Sequence, residues 1–409
     1  LPQKNIVAGV DVGSTKVAVV IGEVRSKGEL DLIGVGECPS AGLRKGIIVD
    51  IEHTARAIKT AVEQAERMSG VEMASAYVGV TGPHISSVNN RGVVAVAGPD
   101  REISPEDTYR VLEAAKVIAL PADRQILHVL PREFVVDGYD GVVDPVGMSG
   151  SRLEVDTHIV TAATSALQNL VKSVHRAGLE VQDLILNPLA SAEAAVLPAE
   201  RELGAALVDI GGGTTELAVL DRGGLWFTSV VPVGGDHITS DMAVGLRTPL
   251  ANAERIKREH GCVLAALMPD SADIEVESMG GQRRLVSRRF IASIIEPRVQ
   301  EIFSLVKNEI KRSGYKALLP GGVILTGGVA MMDGITHLAA EELGLPVRVG
   351  TPVGIGGLSD MVDTPRYATG IGLLQYGTRM TEGEVPVGKP VWGDVFSRFR
   401  SWFKDMMGV

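Results

Sequence analysis

The sequence predicts an α/β protein made of two duplicated α/β halves, with an inserted β-rich subdomain and a C-terminal amphipathic helix. Three observations carry that expectation: a hairpin motif that occurs twice about 200 residues apart, alternating strand and helix patterns around each copy, and aromatic residues concentrated in the last nineteen positions. At 409 residues the chain has room for two or three domains, each with its own core.

The first copy opens the chain. Two apolar, β-branched runs flank Gly13-Ser14-Thr15 and read as a hairpin. A helix follows from Ile51, because Ala55, Ile58, Val62 and Ala65 recur at steps of three and four and Gly70 stands where a helix stops. Ala74 to Gly82 returns to strand. From His84 to Ala162 the pattern changes to strand-like runs at 92–97, 125–136 and 153–161, with one helix marked by Ser104 as N-cap, Pro105 at its first position and Asp107 three residues after the cap. This is the expected insertion. A helix through Leu167, Leu170, Val171 and Val174 ends at Gly178, a strand follows, and a turn at Asn187-Pro188 leads into a further helix. The segment 204–231 repeats the opening hairpin. A polar helical region runs to Tyr315, then a strand-turn-helix unit around LTGGVA, a Gly/Pro-rich stretch and a helix over 364–377. Residues 381–390 have linker composition.

Composition narrows the function. Hydrophobic residues at 45% and charged residues at 22% exclude a disordered chain, and 48 Gly, about 12% against a usual ~7%, imply many tight turns. A net charge of −10 argues against a nucleic-acid partner. Two cysteines, Cys38 and Cys262, are too few for a disulfide framework, which suits a reducing, cytosolic compartment. No run of eighteen apolar residues and no signal-peptide pattern occur, so the chain is expected neither to span a membrane nor to be exported.

The duplicated hairpin carries the chemistry. Val10-Asp11-Val12-Gly13-Ser14-Thr15-Lys16 matches Val208-Asp209-Ile210-Gly211-Gly212-Gly213-Thr214-Thr215-Glu216, and each copy continues into a second apolar strand. Gly permits close backbone approach, successive N–H groups in such a turn form an anion-binding concavity, and Ser and Thr hydroxyls add donors. Asp11 and Asp209 would supply hard oxygens for Mg²⁺, through water, and Lys16 a point charge for a phosphate tail. One copy alone reads equally well as a plain hairpin. Two copies, each opening an α/β half, point to two halves gripping one polyphosphate.

DVGSTK, DIGGGTTE and LTGGVAMMDG resemble the phosphate-1, phosphate-2 and adenosine motifs of the actin, heat-shock chaperone and sugar kinase superfamily. The resemblance implies an actin-like fold around an ATP cleft. It assigns nucleotide contacts to Asp11, Gly13, Ser14, Thr15 and Lys16, to Asp209, Gly211, Gly212, Gly213, Thr214 and Thr215, and to Gly327, Gly328 and Val329. Gly234 and Gly235 occupy a similar position, and AERIKREHGC resembles the element that places Glu254 and Lys257 near ribose and adenine. Within the superfamily the chain is most similar, over essentially its whole length, to the actin-like FtsA cell-division family, through VDIGGGTTELAV, VPVGGDHITSDMAVGLRTP, AERIKREHGC, LTGGVA and the aromatic tail. That family implies domain 1A over 1–83 and 163–203, inserted subdomain 1C over 84–162, domain 2A over 204–228 and 305–380, and subdomain 2B over 229–304. It also implies head-to-tail filaments of the protein itself, contacts with other divisome proteins through 1C, and docking of the tail of the tubulin-like FtsZ.

One position departs from hydrolytic relatives, where an EP-x-A-A-A phrase supplies a Glu that orients the attacking water. Here Asn187 stands at that place, and an amide holds a water but cannot take its proton. Slow hydrolysis at best is expected, with ATP acting as a conformational and polymerisation ligand. Glu193 and Glu216 are substitutes for the missing base or else surface or structural acids.

In the last nineteen residues Trp392, Val395, Phe396, Phe399, Trp402, Phe403, Met406 and Met407 form one helical stripe, flanked by Arg398, Arg400 and Lys404. Its composition suits a helix lying in the interface of an anionic membrane, reversible as one copy and additive in a filament. The segment 283–298 reads as an apolar helix punctuated by arginines. By itself that pattern also reads as a solvated helix face; the resemblance to the FtsA family implies that Arg288, Arg289 and Arg298 dock the acidic FtsZ tail. The reading is therefore an ATP-binding adaptor that tethers a division polymer to the inner membrane face, at most a weak ATPase. A pilus-assembly actin homologue is the nearest alternative. A sugar or acid kinase needs a carboxylate base at a small-substrate pocket, for which no phrase is present, and a chaperone needs a peptide-binding domain beyond residue 380.

Overall fold

The computed structural model describes residues 5–381 apart from 26–27, 98–99, 270–272 and 316–317. The expected linker and amphipathic tail, with Trp392, Phe396, Phe399, Trp402, Phe403 and the three basic residues, lie outside the described residues.

The opening hairpin pairs Asn5–Val12 with Lys16–Val24, and Leu30–Pro39 adds antiparallel. On the other side of Asn5–Val12 lie the parallel strands Ser75–Val80 and Glu180–Leu186. The second half repeats this order. Ala205–Ile210 pairs with Thr215–Asp221, Gly224–Val231 adds antiparallel, and Val323–Thr326 and Val347–Val349 follow in parallel on the far side. Both sheets thus have a three-stranded meander extended by two parallel strands, and the sequence repeat falls on the same hairpin of each. Inner strands such as Ala205–Ile210 are buried along their whole length, which is why they read as continuous apolar runs.

Helices cover the sheets where the periodicity predicts them. Ile51–Ser69 is capped by the Asp50 side chain and stops at left-handed Gly70. Pro105–Ala115 has the full capping box between Ser104 and Asp107, and Thr164–Arg176 precedes Gly178. The inserted subdomain is a four-stranded antiparallel sheet, Ile85–Ala95, Arg152–Ala163, Arg124–Val136 and Tyr139–Val142 in spatial order. Its own small core is built on Ile103, Leu112, Leu153 and Val155.

Three features correct the sequence reading. Asn187 and Pro188 form no separate turn but are the first two residues of the helix Asn187–Ala195, where Pro lacks no bond that the helix needs. Residues 283–298 are not one helix. Arg283–Ser287 is a strand paired with Asp273–Glu277, and the helix Arg288–Arg312 begins only after the Ser287 cap. The arginines stand in adjacent pairs, Arg283-Arg284 and Arg288-Arg289, a spacing that marks neither a period of two nor one of 3.6, so periodicity could not separate ribbon from helix.

Finally, residues 305–380 do not stay in the second half. Gly356–Gly357 pairs with Leu30–Pro39, and the helix Ala368–Thr381 buries Ile371, Leu373 and Leu374 in the core of the first half. There Gly372 lets it lie against the backbone of Ala190. The chain crosses back because that helix is the cover for the face of the first sheet opposite Ile51–Ser69.

Candidate functional site: the cleft between the two hairpins

The two hairpin turns have the same internal bond. Gly13 N–H donates to the Lys16 carbonyl, and Gly211 N–H donates to the Thr214 carbonyl, each at 2.9 Å. They also meet. A methyl group on Gly212 would collide with Thr15, and one on Gly213 would collide with Ser14 and come within 2.9 Å of Lys45 Cα. Glycine is required here by close approach of one half to the other.

The turns form one wall of a cavity of about 560 Å³. It is lined by Asp11, Gly13, Ser14, Thr15, Lys16, Asn187, Asp209, Gly211 to Thr214, Gly235, Glu254, Lys257, Gly327, Gly328 and Val329. Gly234 stands behind it, where a side chain would strike the backbone of Gly211 and Gly212, and Thr215 points away, donating to the Val233 carbonyl at 2.7 Å. Lys257 is buried, held by the Gly235 carbonyl at 3.0 Å, the Thr239 hydroxyl at 2.8 Å and Glu254 at 2.6 Å. Gly327 takes a left-handed φ of 84°, and its bare Cα faces Asp209 and the Ile210 carbonyl. Its N–H donates to the Pro365 carbonyl at 3.1 Å.

The floor holds the charges. Burial pushes the Asp11 carboxyl up to about 6, with Lys16 opposing, Asp209 adding and the Asn187 amide opposing through a hydrogen bond. Burial likewise raises Asp209, although it accepts from the Ser191 hydroxyl at 2.6 Å and the Thr369 hydroxyl at 3.2 Å. Glu216 is raised well above the usual carboxylate range, first by burial and then by Asp209, and accepts from Thr81 and from Thr214 at 3.2 Å. Burial lowers the Lys16 ammonium against the opposing effect of Asp11 and Glu37.

Three buried atoms here have no hydrogen-bond partner among the described residues: Lys16 Nζ, Asn187 Oδ1 and Glu216 Oε2. A buried cation and two acceptors left open in one cavity are a donor and acceptor set for a charged ligand. Asp11 and Asp209 could hold a hydrated divalent cation. Among the described residues no group of three or more His, Cys, Asp or Glu is placed to ligate a metal directly, so a cation here would keep much of its water.

Sequence reasoning missed Thr81, Ser191, Glu37, Arg366, Tyr367 and Thr369. Ser191 and Thr369 were hidden because small hydroxyl residues on helices carry no motif. Arg366 and Tyr367 fall in the first turn of the helix expected over 364–377, whereas Pro365–Tyr367 is a short 3-10 turn and the helix begins at Ala368. Glu193 is a structural acid, buried between Arg201 at 3.1 Å and Arg379, and it is absent from the cavity lining.

The arginines of the second half are unequal. Arg298 is bound to Asp241 at 2.6 and 3.1 Å and to Glu301. Arg288 reaches the His260 carbonyl at 3.4 Å and Asp333 at 3.9 Å, and Arg289 reaches the Ala265 carbonyl at 3.4 Å.

Twin hairpin sheets, a cleft between them and an inserted subdomain define an actin-like protein. The solved structure of the PilM–PilN type IV pilus biogenesis complex is similar, with TM-score 0.68 and 17% identity over 91% of this chain and 98% of that one. MreB5 of Spiroplasma citri bound to ADP gives 0.57 and 15% over 93% and 99%. These likenesses show the fold.

The family is shown by sequence. The family profile for cell division protein FtsA matches residues 206–372, and that for the SHS2 domain inserted in FtsA matches 82–161. Cell division protein FtsA of Pseudomonas aeruginosa is 47% identical over 91% of this chain and 89% of its own length. That of Bacillus subtilis is 43% identical over 90% and 82%, and that of Escherichia coli 38% over 98% of both. The chain belongs to the FtsA family of cell-division proteins. It is a cell-division protein of actin-like fold, a fold it shares with the solved pilus-biogenesis and MreB5 structures.

Proposed function

We propose that the chain binds ATP with Mg²⁺ in this cleft, polymerises, and tethers the FtsZ polymer to the cytoplasmic membrane face through its C-terminal helix. The observation that supports the nucleotide reading is a buried Lys16 Nζ without a hydrogen-bond partner, lining the same cavity as two facing turns of identical bonding. The turns of Gly13 to Lys16 and Gly211 to Thr214 would hold the phosphate tail, Asp11 and Asp209 the hydrated Mg²⁺, Glu254 and Lys257 the ribose, and Gly327, Gly328 and Val329 the base. Bound Mg²⁺ would neutralise phosphate charge beside two carboxylates.

Hydrolysis is slow in this reading. Asn187 hydrogen-bonds Asp11 and has no proton-accepting group, and Glu216, an acid on the cavity floor, is held toward its protonated form by burial. ATP then acts by joining the halves that already touch at Ser14 and Gly213.

Membrane and polymer roles rest on the aromatic stripe at Trp392 to Met407 and on family membership. No helix among the described residues is long and apolar enough to cross a membrane. Arg288, Arg289 and Arg298 are the candidates for the acidic FtsZ tail, and of Arg288 and Arg298 the former is the stronger, since Arg298 is committed to Asp241. The test is sedimentation with anionic liposomes, comparing the full chain with a truncation after Pro390, with and without ATP and Mg²⁺. Full-length chain should pellet, more with ATP, and the truncation should stay in solution. Equal pelleting of both would remove the tether.

A further inference from the structure

Lys16 is not idle in the cleft. Its Nζ lies 3.8 Å from Glu37 Oε2 and 3.9 Å from the centre of the Tyr367 ring, with no hydrogen bond to either. Glu37, on the neighbouring strand, is itself gripped. The Tyr367 hydroxyl donates to Oε2 at 2.8 Å, and Arg366 donates to Oε1. Burial alone would raise the Glu37 carboxyl, but Tyr367, Lys16 and Arg366 together hold it below the usual range, so it is a fixed negative charge. Glu37 and Arg366 both line the cavity. The segment that presents Arg366 and Tyr367 is anchored in turn, because the Pro365 carbonyl accepts from Gly327 N–H at 3.1 Å and from the Thr326 hydroxyl at 2.9 Å.

We propose that Glu37, fixed by Tyr367 and Arg366, is a positioning residue that parks the Lys16 ammonium at the cleft wall and competes with an incoming polyphosphate for it. This rests on the nucleotide reading above. A weak ion pair and a cation–π contact hold the ammonium in place without satisfying its donors, so it remains available to stronger phosphate acceptors. The arrangement sets affinity below its attainable limit and keeps exchange fast. The chemistry is that of an acceptor carboxylate opposing an anionic ligand, so its removal has a defined sign.

The experiment is binding and dissociation of a fluorescent ATP analogue with Mg²⁺ on the full chain. Glu37→Gln should tighten binding roughly three- to tenfold and slow dissociation by a similar factor, whereas Glu37→Asp, which keeps the charge, should stay nearer the parent. In a Lys16→Gln background the effect of Glu37→Gln should fall to less than half. Thermal melting without nucleotide confirms that each variant is folded. Unchanged or weaker binding by folded Glu37→Gln, or an equal effect in both backgrounds, would overturn the proposal. Failure of the parent chain to bind the analogue at all would instead remove the nucleotide reading.

Discussion

Thr81, at the end of a strand in the first half, donates its hydroxyl to Glu216, on the second strand of the hairpin in the other half, so that a buried hydrogen bond crosses the floor of the cleft. Both residues are buried and both line the cavity. The contact ties the relative position of the two sheets to a carboxyl group that Asp209 and Asp11 crowd.

Thr81→Val should therefore destabilise the nucleotide-free protein by about 1–3 kcal/mol, since it leaves Glu216 with a lost donor in a buried site. Glu216→Gln keeps an acceptor and cannot ionise, so it removes the penalty that ionising this buried carboxyl carries as pH rises, and should raise the melting temperature without ligand. Denaturant unfolding of both variants checks the pair. A destabilised Glu216→Gln would show that its charge supports the fold.

Asp209→Asn should weaken binding of ATP with Mg²⁺ by at least about tenfold while leaving the fold intact. An amide still accepts from Ser191 and Thr369 but supplies no charge to a hydrated cation. Titration calorimetry beside a melting curve separates the two effects.

Gly213→Ala should force the hairpins apart, because the added methyl meets Ser14 and Lys45 across the cleft. The expected result is loss of ATP-dependent assembly, read by light scattering, with a stability cost of about 1–3 kcal/mol. Assembly at the parent level would mean that the halves need not touch there.

Acid should destabilise the fold through two buried imidazoles, His128 and His158, and the half-buried His84. Burial holds His84 and His128 near 4 and His158 near 3, with Arg124 and Arg132 adding to the depression at His84 and His158. Below about pH 6.5 the unfolded chain takes up protons that the folded chain refuses. Their stabilisation is thus complete above 6.5 and lost as pH falls toward 4 to 3, up to about 3 kcal/mol each. Asp11 acts in the opposite sense between its ordinary value of 3.8 and about 6, where rising pH costs stability. His158→Gln, which can still bond Asn89 and Thr228, should flatten the dependence of melting temperature on pH between 6.5 and 4. An unchanged slope would place the titration elsewhere.

The sequence alone was enough for the duplicated hairpin, the helix from Ile51 to its stop at Gly70, the helix capped by Ser104, the insertion and the family resemblance. Each rests on local chemistry: a Gly turn, an N-cap, or a period of two or 3.6 that survives in one dimension. It was also enough to put Asp11, Lys16 and Asp209 at strand ends. Only the tertiary structure decided that Ala368–Thr381 returns to the first half and that Glu37, Tyr367 and Lys16 share one corner. It likewise brought Thr81 to Glu216 and tied Arg298 to Asp241. These depend on which buried face lacks a cover and which charges burial brings together, and residues 135 or 330 positions apart leave no periodic trace of such a meeting.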